Sequence, residues 1–423
     1  MNRINPPLVS ICIPTRNRAN LLDQLLSNLT NQQQSNSYDF DFELIISDNA
    51  STDDTHNVIC SYLEKLNIKY LRQNENLGAE RNIINAYQNA SGDYTLYLAD
   101  DDLLDLNALS KLVIYLMENT EFGIAYAPWL VFKTAQKEKY LFYFHPQNIV
   151  IKQKDFQQAL LSILQYDILP EICIFKTDLF KNNYIFDHSP ISFGFFNQLA
   201  RFINLTDVLF WNQPFYSQRV HETQKGTKNQ SNHLHIQSGH LQAMQEWDCY
   251  RGGLEYLLSK IADDSAEGMR SDFLRLIDDF IAVRICIAIK LRISFEYGDP
   301  LDNYYLASRA IGLGRIGNIP VPFEEISIRA AIHFLATKIC IPEISTTVYL
   351  FGQYNPFELS IFRDQKFLDF IQIEAVDITN TIQKLHENDS SIILCSDSIT
   401  RSQIGDLYSP QIYDFEKILG LFS

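Results

Sequence analysis

The segment YTLYLADDDLLD, Tyr94 to Asp105, runs an apolar stretch directly into three consecutive carboxylates, Asp100, Asp101 and Asp102. Like charges in adjacent positions repel, and at the end of a buried strand they are costly unless something positive sits among them. A hard divalent cation such as Mn²⁺ or Mg²⁺ takes oxygen ligands and would relieve that cost, often using only one or two protein carboxylates. Taken alone, the triplet favours the solvated acidic turn that most charge runs are. Two further polar clusters weigh against the bland reading. SDNASTDDT (Ser47–Thr55) places Asp48 and Asn49 at the end of another apolar run, where a side chain can accept a hydrogen bond from a base. The Ser, Thr and Asp that follow are helix-capping residues. IPTRNR (Ile13–Arg18) sets Thr15, Arg16 and Asn17 where backbone N–H groups and a helix start favour a phosphate or a base.

These clusters need elements that bring them to one place. LVSICIP (Leu8–Pro14), FELIISDN (Phe42–Asn49), IKYLRQ and YTLYLA read as buried strands, near-continuous in apolar residues. Between them ANLLDQLLSNLTNQ, THNVICSYLEKL and GAERNIINAYQNAS have helical spacing, and NALSKLVIYLMEN follows the fourth strand. Repeated βα units of this kind specify an α/β fold with a doubly wound, mostly parallel sheet. Ligands of such sheets bind beyond the carboxyl ends of the strands, where all three polar clusters fall.

From about Pro128 to His221 the pattern is mixed, with strand-like pieces ICIFKT and DVLFWNQPFYSQRVH, and His221–Asn232 reads as a loop or linker. Helical signals then dominate to about Ile341. The last 78 residues return to α/β as a small Rossmann-like unit (TTVYLFG, DFIQIEA, DITNTIQKLHEND, SIILCSD). FGQYNPF lacks the later glycines of a dinucleotide fingerprint, so packing or assembly is the better reading of that tail. The expected division is residues 1–225, a helical region 226–345, and 346–423.

A formal net charge of −16 argues against a general affinity for nucleic acid but leaves room for a local basic site. Seven scattered cysteines without a C-x-x-C pair suit reduced thiols better than a disulfide frame or a zinc site. MNRINPPLVS lacks the apolar core of a secretion signal, and no run reaches the roughly 18 apolar residues that span a bilayer. A cytoplasmic protein is expected. In FIAVRICIAIKLRISF (Phe280–Phe295) the basic residues are read as snorkelling from a buried helix. The lesser readings are a peripheral contact with the inner membrane face or a homo-oligomer interface.

PLVSICIPTRNRANLLDQLLSNL, FELIISDNASTDDT, NLGAERNIINAYQNASGDYTLYLADDD and FYSQRVHE, in this order and spacing, resemble glycosyltransferase family 2, whose fold is GT-A. The resemblance covers about residues 7–224. It implies a glycosyltransferase that takes a nucleoside diphosphate sugar, most often UDP-linked, with Mn²⁺ or Mg²⁺. The acceptor would be a glycan, a lipid-linked glycan or another hydroxyl, in surface polysaccharide assembly.

Carried onto this chain, the resemblance puts Thr15, Arg16 and Asn17 in the nucleotide pocket and Asp48 on the base. Arg81 and Asn82 approach the nucleotide and diphosphate, Asp100 the ribose, and Asp101 and Asp102 the metal. Ala99 stands where the commoner family form has an acid. Arg219 and His221 of RVH would meet the diphosphate and the metal respectively.

Inversion at the sugar requires a general base for the acceptor hydroxyl. In ISFGFFNQLAR, Phe195 stands where the resemblance calls for an acid, six residues before Arg201. Asp187 and His188 in FDHSP are the nearest substitutes, with Glu171 more remote and readable as a strand-end residue. The alternative is a catalytically altered or inactive nucleotide-sugar-binding or scaffold protein. A nucleotidyltransferase ranks last, because PTRNRAN has no glycine for a phosphate loop.

Overall fold

The computed structural model describes residues 6–36, 38–133, 138–183, 192–220, 247–261, 267–294, 298–313, 321–339, 346–364, 368–373, 392–404 and 412–422. The chain divides into two compact units. The first comprises Met1–Leu241 and Asp248–Phe280, the second Gln242–Trp247 and Ile281–Ser423.

Unit 1 opens with four parallel strands, β1 (Leu8–Thr15), β2 (Asp41–Asp48), β3 (Ile68–Arg72) and β4 (Tyr94–Tyr97). The helices α1 (Ala19–Ser35), α2 (Thr55–Tyr62) and α3 (Ala79–Gln88) connect them in turn. Val9, Ile11, Cys12 and Ile13 of β1 have no exposed surface, as a strand flanked on both edges and covered on both faces requires. Leu22, Leu25, Leu26 and Leu29 of α1 are likewise fully buried, the spacing of one helix face.

The sheet is mixed rather than parallel throughout. After the two-residue β5 (Leu103–Leu104) and α4 (Leu106–Glu118) come β6 (Phe122–Tyr126), β7 (Trp129–Lys133), β8 (Glu138–Leu141) and β9 (Ile149–Ile151). Next are α5 (Phe156–Tyr166), β10 (Cys173–Lys176), α6 (Thr177–Asn183), α7 (Gly194–Leu205), β11 (Asp207–Phe210) and β12 (Tyr216–Val220). The eight-stranded order is β3-β2-β1-β4-β10-β6-β11-β9, with β10 antiparallel to both of its neighbours. The stretch DVLFWNQPFYSQRVH, read as one strand-like piece, is two strands. Its chain breaks around Pro214, and β12 enters a second sheet of order β5-β12-β7-β8. A proline offers no ladder N–H, which favours a break there.

In the helical stretch, helices span Trp247–Ser259, Glu267–Ser294, Pro300–Gly312 and Phe323–Phe334. Up to Ser294 the segment expected to be a buried helix belongs to Glu267–Ser294 and buries Ile281, Ile285 and Ile289, while Val283 and Ile287 stay exposed. Among the described residues no helix is long and apolar enough to cross a membrane.

The C-terminal sheet has four parallel strands, β13 (Thr346–Phe351), β14 (Leu368–Ile373), β15 (Ile392–Cys395) and β16 (Ile412–Asp414), in the order β14-β13-β15-β16. This is the Rossmann-like α/β unit expected of the tail. The expected helix at DITNTIQKLHEND and the loop His221–Asn232 lie outside the described residues.

Candidate active site

Because β1, β2 and β4 are parallel and in register, their carboxyl ends share one edge. Thr15 pairs with Asp48, and Cys12 with Tyr97. The Leu98 N–H prolongs the ladder with a bond to the Cys12 carbonyl, 2.9 Å, and the chain then turns through Asp100, Asp101 and Asp102.

That turn holds its charges by giving each acid a donor. Asp100, 4% exposed, accepts from the Thr15 hydroxyl at 2.6 Å and from the Arg18 guanidinium at 2.9 Å. The same Arg18 Nη1 lies 2.9 Å from Asp101 Oδ2. Asp102, 6% exposed, accepts from the Tyr216 hydroxyl at 2.6 Å and from the Arg219 backbone N–H at 2.8 Å. Burial pushes the Asp100 carboxyl up to about 6 against the pull of Arg18 and Thr15. Burial and the neighbouring Asp101 charge carry Asp102 to about 7. Burial draws the Arg18 guanidinium down, but Asp100 and Asp101 outweigh it and hold the group above its ordinary value.

Asp100 and Asp101 therefore converge on one point of positive charge. Two carboxylates aimed at a single position form an oxygen donor set of the type a hard divalent cation takes. Among the described residues no group of three His, Cys, Asp or Glu side chains could hold a metal ion. Asp102, expected on the metal beside Asp101, spends one hydrogen bond of each oxygen on Tyr216 and Arg219 and so fastens the turn. His221, the other expected ligand, lies outside the described residues, as do Asp187 and His188.

The remaining expected residues fall into two groups. Arg16 and Arg81 are exposed, in the loop after β1 and in the first turn of α3, at the sheet edge that carries the acids. The others build the wall. Asp48 has no exposed surface; it accepts from the Ser51 N–H at 2.8 Å and the Tyr70 hydroxyl at 2.9 Å. Asn82 accepts from Ser47 at 2.7 Å and Gln73 at 2.8 Å and reaches the Thr15 carbonyl at 3.4 Å. Asn17, left-handed at φ 52°, accepts from the Thr52 N–H at 2.8 Å and so ties the β1 loop to the β2 loop. Arg219, 7% exposed, donates to Gln24 at 2.9 Å and to the Asp101 carbonyl. These bonds tie Asp48 and Arg219 into the wall of the site.

Sequence reading missed two residues, Arg18 and Tyr216, and left the role of Asn49 open. Arg18 is the cation among the acids, although Arg16 drew attention. Asn49 donates to the Gly78 carbonyl at 3.1 Å and accepts from the Leu77 N–H at 2.8 Å, setting the left-handed Gly78 that opens α3. Tyr216 had no sequence signal beyond its place before RVH. Phe195 stacks on Phe193 at 5.0 Å, and its ring also lies 6.2 Å from that of Tyr250. The start of α7 is an aromatic cluster with no acid in its first turn.

A mixed sheet whose parallel half ends in an acidic turn defines a GT-A-like nucleotide-sugar transferase fold. Residues 10–182 match the family described as Glycosyl transferase family 2. The abequosyltransferase RfbV of Salmonella typhimurium is 41% identical over 111 residues, 26% of this chain and 32% of that protein. The GalNAc(5)-diNAcBac-PP-undecaprenol beta-1,3-glucosyltransferase of Campylobacter jejuni is 40% identical over 111 residues, 25% of this chain and 34% of that one. The chain thus spans about a third of the length of either relative. The crystal structure of S. aureus TarS 1-349 in complex with UDP-GlcNAc superposes with a TM-score of 0.47 at 15% identity, covering 77% of this chain and 86% of that one.

Proposed function

We propose that the N-terminal unit is a metal-dependent, inverting glycosyltransferase that moves a sugar from a UDP-linked donor to a hydroxyl of a glycan or lipid-linked glycan. Surface polysaccharide assembly is the context that the names of its relatives support. The observation that carries the reading is the convergence of Asp100 and Asp101 at the carboxyl edge of a family 2 domain.

Asp101 and Asp100 would hold Mn²⁺ or Mg²⁺, with Asp102 and His221 as the further candidates that the resemblance supplies. When bound, the cation neutralises charge on the departing diphosphate. The protein's own residues do the rest. Thr15 and Asn17 shape the nucleotide pocket, and Asp48 and Asn82 stiffen it from within. Arg16 and Arg81 are free to meet phosphate oxygens. Arg219 holds the acidic turn in place through the Asp101 carbonyl. Preorganised charge of this sort stabilises the transition state without rearrangement at the moment of reaction.

Titration calorimetry with UDP, with and without Mn²⁺, tests the reading. Metal-dependent binding that is weakened at least about tenfold by Asp101→Ala is expected; the absence of UDP binding with either ion would refute it. The aromatic start of α7, with Phe195 in place of an acid, favours a second reading, a nucleotide-sugar-binding protein without turnover. Release of UDP from a donor sugar separates the two.

A further inference from the structure

Resting on the transferase reading, we infer that Glu171 is the general base that takes the proton of the attacking hydroxyl. Its place follows from the insertion of β10. That strand runs antiparallel to β4, with Ile174 opposite Leu96, so its amino-terminal end meets the carboxyl end of β4. Glu171 sits in the turn two residues before β10 begins at Cys173, at the end of that strand which meets the carboxyl end of β4. On the other side the Ala127 N–H bonds to the Ile172 carbonyl at 3.0 Å, fixing the backbone next to Glu171 against the end of β6.

Glu171 is the single exposed residue in the run Ile168–Phe175, whose other members are all buried. A charged side chain displayed from an otherwise buried run is held in place by its neighbours, as a catalytic group must be.

The ionisable groups near it are Tyr97 on β4, Cys173 on β10 and Tyr143 in the segment after β8; burial raises all three, and the Glu171 charge adds to each. Desolvation pushes its carboxyl up to about 7. A base with this affinity for protons is half ionised near neutrality, the condition in which general-base catalysis works best.

The step balances without a further reagent. The acceptor O–H bond breaks and its proton passes to the Glu171 carboxylate. The freed electron pair forms the bond to the anomeric carbon. The bond from that carbon to the diphosphate oxygen breaks, its electron pair leaving with UDP, and Glu171 later returns the proton to solvent. Water can stand in for the acceptor.

The test is UDP release from UDP-glucose, UDP-galactose and UDP-GlcNAc with water as acceptor, alongside UDP binding by calorimetry. Glu171→Gln should lower turnover at least about 100-fold, with UDP affinity within about twofold of wild type. Glu171→Asp should keep part of the rate, and the acidic limb of the pH profile near 7 should vanish in Glu171→Gln. Asp187→Asn and His188→Gln should retain turnover. Glu171→Gln within about threefold of wild type overturns the assignment, as does loss of turnover in Asp187→Asn alone. If the Gln variant does not fold, equal rates in Glu171→Asp and wild type with an unmoved acidic limb overturn it. Wild-type protein that binds UDP but never releases it from a sugar refutes the base and leaves the donor site standing. Failure to bind UDP at all refutes the transferase reading itself.

Discussion

Tyr216→Phe removes one oxygen and no volume, so its effect isolates the bonds that fasten the acidic turn. The hydroxyl donates to Asp102 at 2.6 Å and accepts from the Ala99 N–H at 3.2 Å, with Tyr216 itself 2% exposed. Losing a bond to a charged group costs about 1.5–3 kcal/mol, and an orphaned N–H about 1 kcal/mol more. Asp102, at about 7, is partly protonated near neutrality, so the lower part of that range applies, about 2–3 kcal/mol in all. A domain of this size loses roughly 2–4 °C of melting temperature per kcal/mol, a drop of about 4–12 °C. Trp129 and Trp211, two of the three tryptophans, belong to the first unit, so intrinsic fluorescence follows the right transition. The variant should also bind UDP more weakly, because the turn that carries Asp100 and Asp101 is no longer pinned to β12. A melting temperature within about 1 °C of wild type would show that Tyr216 does not fasten the turn.

Three further outcomes are expected. Arg18→Ala leaves Asp100 and Asp101 without their shared cation, so melting in EDTA should drop and the rise on adding Mn²⁺ should exceed that of wild type; an equal rise in both proteins would count against competition for one position. Gly92→Ala would place a Cβ 2.5 Å from the Leu8 carbonyl oxygen and 2.8 Å from the Ser10 nitrogen, both backbone, and should cost about 3 kcal/mol or more, read as loss of soluble protein. Burial pushes Glu43 up, but bonds from Ser10 and Ser91 overcome it and hold the carboxyl below its ordinary 4.5. A depressed carboxyl contributes stability above 4.5 that is lost as pH falls through the folded value. Ser10→Ala should therefore move acid unfolding to higher pH, and unchanged acid denaturation curves would contradict this.

The parallel half of the first unit was legible because buried strands must be apolar throughout and must stop where polar residues begin. The expected ends at Pro14, Asn49 and Ala99 fall within two residues of the observed Thr15, Asp48 and Tyr97. What local pattern could not show was partnership. Arg16 and Arg18 are equivalent in sequence, two basic residues in one loop, and only the tertiary fold decides that Arg18 meets the acids. Asp102 looks like its two neighbours until Tyr216, distant in the chain, claims one oxygen. Glu171 read as a strand-end residue because β10 is short and its direction in the sheet is invisible to periodicity. An antiparallel strand between β4 and β6 brings the same residue to the end of β4 from which the acidic turn departs. The C-terminal strands were found by their apolar runs except β16, whose three residues are too few to carry a pattern.

The inverted strand β10 also separates two kinds of variation. On one side of it, β3-β2-β1-β4 carry every residue proposed to meet the nucleotide from the strand ends; on the other, β6, β11 and β9 carry none of them. Substitutions in the second half leave every strand-end residue proposed to meet the nucleotide untouched. A directed-evolution library confined to that flank therefore explores sequence without first having to rescue the strand ends on which the nucleotide reading rests.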